Sequence, residues 1–173
     1  FNRKMILPMV FLFILGGLQG TVGWIMVKSG LVPEKYFVGH IELTTHFILA
    51  LLLLSYTLWF ALKLKIPASK LLVDTTMKQM LIFISVIMFL QLIYGAFMAG
   101  TRAAITAPTW PDINGYILPP SISELSPLVK NFINNKITIH FIHRSLAYLL
   151  FILIIAGYFK SKKLKNNTLF SRY

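Results

Sequence analysis

Four apolar runs set the rhythm of the chain: residues 5–27, 39–62, 79–100 and 137–159. Each has about 22 residues, enough to cross about 30 Å of hydrocarbon as an α-helix. The polar stretches between them are unequal. Residues 28–38 make a short turn, 63–78 a basic loop around Pro67, and 101–136 a long segment holding Trp110, Pro111, Pro119 and Pro120. The pattern predicts an all-α integral membrane protein of four transmembrane helices. They form two helical hairpins, 1–78 and 79–173, the second ending in a basic tail.

The long segment is too long for a plain connection, and such loops are functional or disordered. In it, Ser126–Pro127 reads as an N-cap followed by proline at the first helical position. Leu128, Val129, Phe132 and Ile133 then recur at helical spacing. A short interfacial helix is expected there, either lidding the bundle or simply adsorbed at the surface.

The apolar runs also repeat. LQGTVGWIM (18–26) and LQLIYGAFM (90–98) share L-Q-x-x-x-G-x-x-M at an offset of 72, and HFILALLL (46–53) and HRSLAYLL (143–150) share H-x-x-L-A-x-L-L. A two-helix unit therefore occurs twice, as in many membrane proteins built from parallel repeats.

Composition agrees with the membrane class: of 173 residues, 57% are hydrophobic and 13% charged. Cysteine is absent, which excludes disulfides, thiolate metal sites and c-type heme attachment. Five acidic residues leave little scope for carboxylate chemistry. The net charge of +12 is distributed as topology. Arg3, Lys4, Lys63, Lys65, Lys70, Lys78, Lys160, Lys162, Lys163, Lys165 and Arg172 fall on one side of the spans; Lys28, Lys35, Arg102, Lys130 and Lys136 fall on the other. This bias places both termini on the cytoplasmic side and argues against a nucleic-acid partner. Phe1 opens almost directly onto an apolar run, leaving no room for a secretory signal, and without an initiator Met the chain reads as a piece of something longer.

Against this background the fourth run is odd, because it carries His140, His143 and Arg144. An ionisable residue at mid-membrane costs about 2.5–3.5 kcal/mol, so such residues mark a site or a snorkelling end. His46 and His143 are repeat-related and lie about 10 Å along their helices from the outer ends. Each is either an axial ligand of heme iron, held in the apolar slot of a helix bundle, or polar glue to a neighbouring helix. Arg144 can pair with a propionate or snorkel to the interface. His40 and His140 are nearer the outer ends, as interfacial or supporting groups, and Glu42 either orients His46 or sits at the helix entrance. Gln19 and Gln91 are mid-span amides that need a partner, helix or ligand. Gly16, Gly20 and Gly23, echoed by Gly95, Ala99 and Gly100, permit close helix contact, and Trp24, Trp59 and Trp110 fit interfacial belts. No nucleophile triad, phosphate loop or carboxylate-rich metal site is visible.

The segments GGLQGTVGWIMVKSGLV (16–32), ELTTHFILAL (42–51), YGAFMAGTRAAITAPTWPDINGYILPP (94–120) and ITIHFIHRSLAYL (137–149) together resemble heme A synthase, the cytochrome oxidase assembly enzyme. The resemblance runs from the first span to the fourth. It implies two fused four-helix bundles, each holding heme between two histidines, and oxidation of a methyl of heme O to the formyl of heme A. Heme O would be the substrate and heme B the bound cofactor. His46 takes the position of an iron ligand in the substrate-side bundle; His143, with Arg144 beside it, takes that of a ligand in the cofactor-side bundle. The chain corresponds to spans three to six of eight. The mates of both histidines and the family's acidic catalytic residue fall in the other spans, so no catalytic residue is assigned here and the chain alone is expected to be inactive. The resemblance also implies membrane lipid, heme O synthase and an electron acceptor as partners, in a bacterial cytoplasmic membrane or mitochondrial inner membrane. Two other functions compete with it: a b-type cytochrome that only carries electrons, and a heme-free structural subunit.

Overall fold

The computed structural model describes residues 3–66 and 74–163. Among them are six α-helices: α1 (Ile6–Lys28), α2 (His40–Lys65), α3 (Thr75–Thr101), α4 (Ala103–Thr106), α5 (Asn131–Asn134) and α6 (Lys136–Lys163). The four long ones occupy the four apolar runs and are each long and apolar enough to cross a membrane. The chain is an integral membrane protein. Pro67 and Lys70 of the basic loop, and Lys165 and Arg172 of the tail, lie outside the described residues. The chain forms two compact units, Phe1–Lys70 and Leu71–Tyr173. In the first, α1 packs on α2; in the second, α3 packs on α6, with α4 and α5 against α6.

The long helices are apolar on every side. Leu7 and Phe13 are 77% and 83% exposed, and similar side chains line all four spans. Such surface is stable against lipid and not against water. Several of their hydroxyls are satisfied within their own helices: Thr21 donates to the Gly17 carbonyl at 3.0 Å, Thr57 to Leu53 at 2.8 Å and Ser85 to Leu81 at 2.8 Å. In hydrocarbon no water can take that bond, so the preceding turn does. The starts and ends use local chemistry. Asp74 caps α3 by accepting the Met77 N–H at 2.6 Å. Ser29 ends α1 and fastens the short turn after it, donating to Met26 O and accepting the Gly39 N–H, both at 2.7 Å. A Cβ on Gly30 would strike the Phe37 carbonyl, so that close approach requires glycine.

The buried positions of the second unit gather around the segment between α3 and α6. Ala103, Ala107, Ile113 and Ile139 are essentially inaccessible. The expected helix from Ser126–Pro127 is not formed as one element. Pro127 is extended, Leu128–Lys130 makes a 3-10 turn, and α5 adds one α-turn. The cause is Asn131, whose side chain turns back to bond Leu125 N, Leu125 O and Leu128 O at 2.9–3.0 Å. That is local competition with helix geometry. Asn135 completes the arrangement. Its Oδ1 accepts the N–H of Ile137 and Thr138, capping α6, while its Nδ2 donates to Ser121 O at 2.7 Å and Asn131 Oδ1 at 2.9 Å. Thr138 Oγ1 reaches Ile122 O at 2.7 Å. Replacing Asn135 by alanine removes a cap and strands several of these buried groups at once. We expect a loss of about 2 kcal/mol, read as a lower thermal midpoint in detergent.

Candidate functional site

Each unit holds one histidine aimed at its facing helix, with the same two residues opposite it. In the first, His46 on α2 meets α1 at Gln19 and Gly23, which are four apart and therefore share a face. Gln19 Nε2 lies 3.3 Å from His46 Nε2. Gly23 leaves room for the ring: a Cβ there would come within 2.8 Å of His46 Cε1. In the second, Gln91 Nε2 lies 3.3 Å from His143 Nε2, and a Cβ on Gly95 would stand 3.4 Å from His143 Cε1. Both rings point inward, toward protein.

These clusters are polar places left incomplete. His46 Nδ1, His143 Nδ1, Gln19 Oε1 and Gln91 Oε1 are all buried with no hydrogen-bond partner among the described residues. Such a group costs on the order of 1–3 kcal/mol. No three of the His, Asp and Glu side chains among the described residues gather to hold a metal ion. What each cluster offers is a single imidazole on an apolar helix pair, suited to a ligand that brings most of its own donors.

The two glycines differ in slack, and this sets an expected contrast. Gly23→Ala should push the His46 ring and break its contact with Gln19, while Gly95→Ala meets only ordinary contact. The second variant should be neutral or up to about 1 kcal/mol stabilising through helix propensity. Histidine 15N shifts and melting in detergent would read both. Gly16 and Gly20, expected at helix contacts, meet nothing within 4 Å of a built Cβ, because they lie on faces of α1 that α2 does not cover.

Two other polar residues of α6, His140 and Arg144, form the clamp on the 109–116 loop. Arg144 donates through Nη1 to the carbonyls of Pro111 (3.3 Å) and Asp112, and through Nη2 to that of Thr109 at 3.0 Å. Its Nη2 also lies 2.9 Å from His140 Nε2, which must accept because guanidinium only donates. His140, 7% exposed, is thereby engaged in the loop clamp. The loop itself closes on Asn114 and Gly115, both at positive φ, with Ile113 and Tyr116 exchanging N–H···O bonds of 2.8 and 3.2 Å. Asn-Gly favours this tight reversal, a signal the sequence reading passed over. Hydrogen bonds from Thr109 and from the Gly115 N–H hold the Asp112 carboxyl below the usual carboxylate range. His40 opens α2, half-buried, and the Glu42 carboxylate folds back over Gly39 at the helix start, the helix-entrance position rather than one directed at His46. The sequence reading missed that Gln19 and Gln91 are the partners of the two histidines; the shared L-Q-x-x-x-G pattern was the available signal.

Residues 1–172 match the family described as cytochrome oxidase assembly protein. The protein named heme A synthase from Nitrosospira multiformis is 36% identical over 164 residues, covering 93% of this chain and 46% of that protein. Its namesake from Parvibaculum lavamentivorans is 36% identical over 162 residues, covering 94% and 46%. That of Wolbachia pipientis is 34% identical over 167 residues, covering 95% and 47%. The chain thus spans a little under half the length of the curated relatives it matches. No solved structure matches it.

Proposed function

The chain belongs to the family of cytochrome oxidase assembly proteins, and from that premise we propose that it carries one half of each of two heme sites in a heme A synthase. The relatives bearing that name align along almost the whole chain. The observation that carries the reading is the duplicated cluster: an inward imidazole, a glycine beside it, and buried nitrogen and oxygen atoms without partners. These residues fit a porphyrin's iron. They supply a ring nitrogen in an apolar setting, and the macrocycle would bring the remaining donors.

In this reading His46 ligates the substrate, heme O, and His143 ligates a resident heme B. Bound heme supplies the redox chemistry by which a porphyrin methyl becomes a formyl group. The chain's residues bind and orient. The flanking helices keep water from the rings. Arg144 stands as the cation beside the His143 half-site, and any N–H that the loop leaves to it is suited to a propionate. Lys63, Lys65, Lys78, Lys160 and Lys162 favour the cytoplasmic or matrix side for the ends of the spans they flank, in a bacterial cytoplasmic or mitochondrial inner membrane. Heme O synthase as supplier of the substrate and an acceptor for the electrons complete the proposal.

The test is pigment extraction from the protein purified out of its native membrane. Formyl porphyrin beside heme B supports the proposal. Heme B alone would favour an electron carrier, and absence of pigment a structural subunit; either would overturn the assignment.

A further inference from the structure

Two features of the histidine clusters have no part in heme ligation as such. Each Nε2 is already engaged by a glutamine amide, and each amide faces it through nitrogen, at the same 3.3 Å in both units. We propose that Gln19 and Gln91 are placeholders at the iron-binding nitrogen. In the ligand-free helix pair each amide donates to Nε2, fixes its imidazole as the Nδ1–H tautomer, and gives way when a metalloporphyrin arrives. This rests on the heme reading above and adds to it the residue that prepares each ligand.

With the amide nitrogen turned toward it, Nε2 presents its lone pair and the ring proton sits on Nδ1; the flipped amide, with Oε1 accepting from an Nε2–H, is the alternative that the 15N spectra below distinguish. Nδ1 is buried with no partner of its own in either unit. No acceptor on that side selects the tautomer, so the choice falls to the glutamine. In most ligating histidines the reverse holds, the distal N–H being fixed by a carboxylate or carbonyl. The same lone pair that the amide holds is the one a metal needs. Departure of the amide is easy. Its Oε1 is unbonded in both units, so swinging the side chain breaks one contact only. The glycine one turn further along leaves the ring no side chain to lean on. The arrangement recurs on both helix pairs although the segments joining them differ greatly in length, so the pairing does not depend on one particular connection.

The test uses the whole chain in lipid nanodiscs, on a His46→Ala background so that only the second unit reports. Without heme, 15N-histidine spectra should show His143 as the Nδ1–H tautomer, and Gln91→Leu should redistribute it. Gln91→Glu, an acceptor when ionised, should move the proton to Nε2. With ferric protoporphyrin IX titrated into the discs, Gln91→Leu should bind about 3- to 10-fold tighter than the parent, the size of one lost competing hydrogen bond. Gln91→Glu should bind several-fold weaker. A glutamine that only packs predicts instead that both variants weaken and the tautomer stays put, which would overturn the placeholder role. Should Gln91→Glu misfold, Gln91→Leu decides alone. The two failures are separable. No porphyrin uptake, or uptake unchanged by an added His143→Ala, removes the heme reading and this inference with it. Uptake that needs His143 but is no tighter in Gln91→Leu removes the placeholder alone.

Discussion

Alanine at position 143 is expected to strip heme from the second unit while the helices remain folded. Loss of a supporting partner of a metal ligand already costs about 10- to 100-fold in affinity, so loss of the ligand itself should exceed about 100-fold. The ring is half-buried against Gly95, and its removal leaves a pocket and the Gln91 amide unpaired. That penalty is on the order of 1–3 kcal/mol, well short of the stability of a packed helix pair. Circular dichroism should therefore be unchanged while heme content falls. Added imidazole should restore part of the absorbance by entering the vacated space. His46→Ala should do the same in the first unit, independently. His140→Ala is the control: its Nε2 is held by Arg144, so heme content should persist. Undiminished heme in His143→Ala would end the ligand assignment.

The spans were legible because the bilayer imposes their length and composition; helix boundaries in the structure fall within a few residues of the apolar runs. The two histidines were legible as an anomaly, since imidazole in a span needs a reason. Their partners were not. Gln19 and Gln91 were flagged as needing something, but which face of α1 or α3 meets the ring depends on helix rotation, which an all-round apolar sequence leaves unspecified. The same ambiguity spread the expected close contact over Gly16, Gly20 and Gly23, whereas α2 meets Gly23 and leaves the others open. The long segment was least legible. Its helix signal at Ser126–Pro127 was local and sound, yet Asn131 and Asn135 spend their side chains on loop backbone many positions away, and that tertiary bonding overrides propensity. Arg144 shows the limit most clearly. Its charge suggested a propionate or the interface, while its bonds run to carbonyls more than thirty residues earlier in the chain.

Those bonds give the second large expectation: lysine at 144 should fail almost as badly as alanine. The guanidinium spans Thr109, Pro111 and Asp112 carbonyls together with His140. A planar fork of fixed donors can do this; a single ammonium cannot meet four acceptors arrayed around its edge. Truncation would leave a buried imidazole nitrogen and a row of carbonyls without donors. The exposed ones can turn to water, which keeps the expected cost near 3 kcal/mol rather than the sum of four charged bonds. The consequence is local. The Ile113–Tyr116 reversal has its own Asn-Gly geometry and the Asp112–Gly115 bond of 2.8 Å, so it should survive as a turn but lose its seat on α6. Amide exchange over 109–116 should then accelerate about 100-fold in both variants, a factor that corresponds to that free energy, with the α3–α6 contacts protected as before. Lysine that preserves wild-type exchange would mean that charge alone holds the loop, and the fork geometry would count for nothing. Because Arg144 adjoins His143, the released loop should also quicken loss of bound heme from that unit. The loop clamp and any propionate contact are separable there: Asp112→Ala keeps the guanidinium and the backbone acceptors, so it should loosen the turn without altering heme retention.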